Sequence, residues 1–139
     1  CLSLKPEVIS LLVGVNDTLH ASETQKKNNI KEFEWHYHQI IQKTKKQLPG
    51  SRLILMDPFL LPVFIERLNL KTDIEHKAKI VQTLAKVHDT LHIPLDDIFT
   101  RAATKKKASF WADDGVHPTN AGHALIALEW LHLITQETL

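Results

Sequence analysis

The chain of 139 residues is poor in several things at once. It has a single cysteine, Cys1, so no disulfide can form within it, and a reducing, cytoplasmic setting is the simplest expectation. No stretch approaches the roughly 18 consecutive apolar residues of a membrane span, and no signal peptide is visible. Net charge is only +1, which gives no electrostatic basis for binding nucleic acid or an acidic partner. The one local cation run, Lys105-Lys106-Lys107, reads as a solvated face. There are four glycines, and neither a dinucleotide-binding glycine fingerprint nor a Walker loop nor an HExxH helix occurs. The sequence opens at Cys1, not at Met, and runs almost at once into a strand.

What is present belongs to an ordinary globular domain, with 43% hydrophobic and 24% charged residues, and the length suits one domain over 1–139. Leu2 and Leu4 resemble the tail of a helix, and Lys5-Pro6-Glu7 breaks it. Val8 to Val13 is a near-continuous apolar run, as expected of a parallel strand buried on both faces. Thr18 to Asn28 is polar and reads as a loop. Asn29 and Glu32 have capping-box spacing, and Ile30, Phe33, Tyr37, Ile40, Ile41, Thr44 and Leu48 form an amphipathic stripe that Pro49-Gly50 ends. Arg52–Met56 is a second buried strand, closed by Asp57-Pro58. Phe59 to Lys71 reads as a loop, and Asp73 as the cap of a helix with Ile74, Ala78, Val81, Leu84, Ala85 and His88 inside. Leu91 to Leu95 reads as a short strand that, because of Pro94, lies at an edge or ends early. Residues 96–112 read as irregular, with a helical turn near Ile98-Phe99. A last helix from Asn120 to Thr135 is expected to bury Ala121, Ala124, Leu125, Leu128 and Leu131. This alternation predicts an α/β fold, a doubly wound parallel sheet with sites beyond the carboxyl ends of its strands.

Two motifs fall at that rim. Asp113-Asp114-Gly115-Val116-His117-Pro118 places a carboxylate three residues before a histidine in a tight loop. A carboxylate that accepts from Nδ1–H fixes the tautomer and leaves Nε2 as a general base; the same spacing also suits a helix cap. Gly14-Val15-Asn16-Asp17 ends the first strand. It is either a simple turn or the mount of an amide, Asn16, aimed at a developing oxyanion. His36 and His38 have H-x-H spacing but point apart on a helix, so no metal is expected there. Trp35, Trp111 and Trp130 read as core or interface residues, with Trp111 next to the Asp–His loop.

Together, Gly14-Val15-Asn16-Asp17 and Asp114-Gly115-Val116-His117-Pro118-Thr119-Asn120-Ala121-Gly122-His123 resemble two motif blocks of the SGNH (GDSL-type) esterase/lipase superfamily. Its carbohydrate acetylesterase branch is the nearest in flavour. The resemblance covers the chain and implies a three-layer α/β/α, flavodoxin-like parallel sheet. It implies His117 as general base, Asp114 as its orienter, Asn16 as oxyanion donor, and Gly14 and Asp17 as supports of the turn. No cofactor or metal is implied. The substrate would be a small acyl ester, such as an acetyl group on carbohydrate.

The family's nucleophilic serine lies in a Gly-Asp-Ser block on an earlier strand. Ser3, Ser10, Ser22, Ser51 and Ser109 have no such setting. About 60 residues, two strand–helix units of roughly 30 each, are absent relative to the family pattern. The expectation is a partial domain without its first two strands, inactive by itself, with the 8–13 strand left as an open edge. Such an edge would pair with another chain, as in a homo-oligomer, or promote aggregation. A non-catalytic remnant serving as an oligomerising or binding module is the alternative.

Overall fold

A computed structural model describes residues 2–24 and 29–136. Three short strands, β1 (Val8–Leu12), β2 (Arg52–Met56) and β3 (Leu91–Ile93), form a parallel sheet in the order β1-β2-β3. Val8 lies opposite Arg52, and Leu55 lies opposite His92. The helices are α1 (Val15–Glu23), α2 (Ile30–Gln47), α3 (Lys71–Val87), α4 (Leu95–Ala103), α5 (Ala108–Trp111) and α6 (Asn120–Gln136). Short 3-10 segments cover Leu2–Leu4 and Ile65–Leu70. Among the described residues no helix is long and apolar enough to cross a membrane.

The alternation of side chains along β2 builds three layers. Leu53 and Leu55 pack with Tyr37 and Ile41 of α2 and with Val81, Leu84 and Ala85 of α3. Ile54 and Met56 point the other way, toward Leu95, Ile98 and Phe99 of α4 and Leu125, Trp130 and Leu133 of α6. The α/β/α parallel architecture is therefore the expected one. Each fully buried aliphatic residue of β2 contributes on the order of 1.5–3 kcal/mol. Asn29 accepts the Glu32 N–H at 3.3 Å and caps α2 as its spacing implies.

Several local expectations are corrected. Residues 18–23 are not loop: α1 begins at Val15, after the turn at Gly14, and runs through them to its C-cap at Thr24. The rest of that expected loop, 25–28, lies outside the described residues, as does Cys1. β1 stops at Leu12, and it is not buried on both faces: Ser10 and Leu12 are exposed and the other three residues half-buried. Among the described residues it has a strand neighbour on one side only, as expected of an edge. Helix α3 starts at Lys71, so Asp73 lies in its first turn and does not cap it; the Asp73 carboxylate bonds Thr18 and Lys77.

β3 ends at Ile93 because Pro94 caps α4. Residues 96–112 are largely helical, and Leu95, Ile98 and Phe99 have the spacing of a buried helical face. Residues 59–71 include the 3-10 segment. In α6, Ala124, Leu128 (64% exposed) and Leu131 (54%) face out, while Leu125, Ile126, Trp130, Leu133 and Ile134 face the core. That helix is apolar on nearly every side, so periodicity could not select its inner face. Trp35 is exposed and not core, whereas half-buried Trp130 donates to the Ser10 hydroxyl at 2.9 Å. Lys105, Lys106 and Lys107 are exposed.

Candidate active site

The Asp–His loop is closed by its own backbone. Ala112 bridges to Pro118, the Thr119 N–H donates to the Trp111 carbonyl at 2.9 Å, and the Leu61 N–H donates to the Gly115 carbonyl at 2.9 Å. Gly115 has φ +88°, and a Cβ there would lie 2.5 Å from the Leu61 carbonyl oxygen, so no side chain fits. Gly122 is equally constrained: a Cβ would lie 2.2 Å from the Trp111 carbonyl, because α6 starts hard against that residue. Thr119, whose hydroxyl accepts the Gly122 N–H at 3.2 Å, caps that start.

Within this frame one carboxylate does two jobs. Asp114 Oδ1 accepts the N–H groups of Val116 at 3.1 Å and His117 at 2.8 Å, and Oδ2 accepts from His117 Nδ1 at 2.9 Å. Partial burial pushes the pKa of the Asp114 carboxyl up. The His117 backbone and ring donors and the Val116 N–H outweigh that, and they hold the group well below the usual carboxylate range. The His117 ring is thereby oriented on its Nδ1 side while its side chain stays 79% exposed. Sequence spacing left two readings open, acid–base pair or cap. The carboxylate in fact bonds ring and backbone together.

The second motif sits at the end of β1. Gly14 takes φ +121° and starts α1 without a side-chain cap. Asn16 and Asp17 occupy the exposed first turn of α1 and line a groove of about 870 Å³ between α1 and α2. Asp17 is favourably placed toward the positive end of the helix dipole. His117 does not line that groove. The two motifs are joined through apolar packing: Val15 packs on the cluster of Leu60, Ile74 and Val116. The structure thus brings Asp114 and His117 into contact and seats the Gly14–Asn16 turn on the same small core.

Other participants were not legible in the sequence. Arg67 donates to the Asp114 backbone carbonyl at 3.1 Å, and its guanidinium lies 3.6 Å from Oδ2. It comes from the 3-10 segment 47 residues earlier, with no local motif to flag it. A second acid–histidine pair joins buried Asp57 Oδ1 to His92 Nε2 at 2.7 Å. Burial pushes the Asp57 carboxyl up, against the opposing pull of His92. Only the sheet register makes this pair. His36 and His38 diverge as helical geometry requires: His36 approaches Glu32 at 3.7 Å, and His38 Nδ1 meets His88 Nε2 at 3.0 Å.

The model of the GDSL-like lipase/acylhydrolase family matches residues 1–125. The chain belongs to that family. A curated acetylxylan esterase of Geobacillus stearothermophilus is 24% identical over 137 residues, which are 96% of this chain and 61% of that protein. A solved GDSL-like lipase from Parabacteroides merdae superposes with TM-score 0.89 at 30% identity, over 96% of this chain and 62% of its own. The Geobacillus esterase structure gives TM-score 0.82 at 23% identity, which speaks for the fold. The chain therefore spans about three-fifths of these relatives' length and carries the SGNH fold over that part, with carbohydrate acetylesterases among its relatives. Structures of the Geobacillus esterase include catalytic mutants at a serine, a histidine, and an aspartate three positions before the histidine.

Proposed function

We propose that this chain supplies the base, its orienter and one oxyanion donor of a carboxylic ester hydrolase acting on small acyl esters, with acetyl groups on carbohydrate as the favoured class. The observation that carries the reading is the 2.9 Å contact between Asp114 Oδ2 and His117 Nδ1, which leaves the far ring nitrogen toward solvent. The three-residue spacing is also that of the catalytic aspartate and histidine of the Geobacillus esterase.

In the proposed cycle, His117 Nε2 takes the proton of a serine hydroxyl as the serine oxygen bonds the acyl carbon. The carbonyl oxygen becomes an oxyanion, and the Asn16 side-chain amide donates to it. The acyl–oxygen bond then breaks, and His117 returns the proton to the departing alcohol. Water, deprotonated by the same ring, then bonds the acyl carbon; the acyl–serine bond breaks, the acid leaves, and His117 returns the proton to the serine oxygen. Asp114 holds the tautomer and balances the imidazolium charge. The serine would come from a Gly-Asp-Ser block in the part of the relatives that this chain does not span.

The test is hydrolysis of p-nitrophenyl acetate and acetylated xylo-oligosaccharide, by this chain and by the longest protein its gene encodes. The chain alone should show negligible turnover. The longer form should hydrolyse acetyl esters and lose about 10³-fold or more on His117→Ala. Substantial turnover by the chain alone, abolished by His117→Ala, would refute the claim that the serine lies elsewhere. An unaffected His117→Ala variant of an active longer form would refute the base assignment.

A second reading, a non-catalytic module that pairs through the 8–13 strand, is favoured by the open β1 edge and by the exposed Leu12, Val13, Leu128 and Leu131 beside the sheet and on α6. It predicts self-association of the chain in sedimentation velocity. A monodisperse monomer at micromolar concentration would refute it.

A further inference from the structure

Lys77 of α3 is fully buried, and the chemistry proposed above makes no use of it. Its ammonium donates to the Gly14 carbonyl at 3.1 Å and to Thr18 Oγ1 at 2.6 Å, and it pairs with the Asp73 carboxylate, 3.2 Å from Oδ2. The Thr18 hydroxyl donates in turn to Asp73 Oδ2 at 2.5 Å. The Phe33 ring closes the site, 5.3 Å from Nζ.

Stability does not explain such a residue. Burying an ammonium carries a large desolvation cost, and replacing a buried ion pair as a whole with apolar residues commonly leaves a core as stable or more so. What the cation does is local. Gly14 has no side chain with which to cap α1 and takes φ +121°. Lys77 reaches across from α3 to hold the carbonyl on one side of Asn16 and, through Thr18, the helix turn on the other. A Cβ at Gly14 would lie 3.0 Å from Phe33, so the same ring that covers Lys77 confines the turn.

We propose that Lys77 is a positioning residue that fixes the turn from Gly14 to Thr18 and thereby sets the direction of the Asn16 side-chain amide. The proposal rests on the reading of Asn16 as an oxyanion donor. Lys77 touches no substrate; it acts through the backbone of Gly14 and the hydroxyl of Thr18.

The test uses the chain labelled with ¹⁵N, as wild type and as Lys77→Met, Thr18→Val and Thr18→Ser. Lys77→Met should lower the thermal midpoint, because it leaves the Gly14 carbonyl and the Asp73 carboxylate without their cation, but should still fold at room temperature. The backbone and side-chain amide signals of Asn16 should nevertheless shift or broaden, while those of Val116, His117 and β2 stay in place. Unmoved Asn16 signals in a folded Lys77→Met variant would overturn the proposal, and so would shifts spread evenly over the sheet. If Lys77→Met does not fold, Thr18→Val decides: displaced Asn16 signals that Thr18→Ser restores support the proposal, and undisplaced signals overturn it. None of these readouts needs ester turnover, so failure of the hydrolase reading and failure of this one are separately visible.

Discussion

Replacing Asp114 by alanine tests whether one carboxylate organises the loop. The substitution removes two hydrogen bonds from backbone N–H groups to Oδ1, at 3.1 and 2.8 Å, and the ring contact at 2.9 Å. Each side-chain bond to backbone contributes about 1 kcal/mol. The ring contact adds about 0.5 kcal/mol, because His117 is largely exposed and water screens the pair. The expected loss is therefore about 2–3 kcal/mol at neutral pH, read by urea unfolding followed by circular dichroism.

The pH dependence carries a definite sign. The folded-state Asp114 carboxyl titrates below its ordinary range. Its contribution is therefore complete above the unfolded value of about 4 and is lost as pH falls below it, with a limiting slope of about 1.4 kcal/mol per pH unit. The stability gap between wild type and Asp114→Ala should accordingly narrow between about pH 5 and pH 3. A gap below about 0.5 kcal/mol at neutral pH would refute the account, since that is the ordinary scatter of surface substitutions. So would a gap of unchanged size in acid.

Two further outcomes follow from other parts of the molecule. Gly115→Ala should cost about 2 kcal/mol or more, because φ +88° disfavours any side chain and the new Cβ meets the Leu61 carbonyl; Gly50→Ala, with nothing within 4 Å of the added atom, should stay within about 0.5 kcal/mol. His88 titrates below its ordinary value because of burial and then the nearby His38 and Lys45. The unfolded chain thus takes up that proton first, and stability should fall as pH drops from about 6.5 toward 5; thermal melts should show the step in wild type and lose it in His88→Gln.

The sequence by itself determined the layered parallel fold, the positions of β2 and α2, and the identity of the Asp–His loop. These are properties of short windows. An apolar strand with a turn behind it, a 3.6-residue stripe with a capping asparagine, and a carboxylate three residues before a histidine each read the same in any context. Elements failed to read where the local signal was ambiguous. The polar stretch after Gly14 becomes helix because α3 and the 3-10 segment offer it a surface. The α6 pattern is apolar on almost every side and could not name its inner face.

Tertiary structure alone decided everything that depends on contacts across long separations. The register of β2 against β3 pairs Asp57 with His92. The 3-10 segment carries Arg67 to Asp114, and α3 carries Lys77 beneath the Gly14 turn. No residue type or spacing marks these partners beforehand. A charged side chain reads as solvated until the fold removes its water and supplies its acceptors.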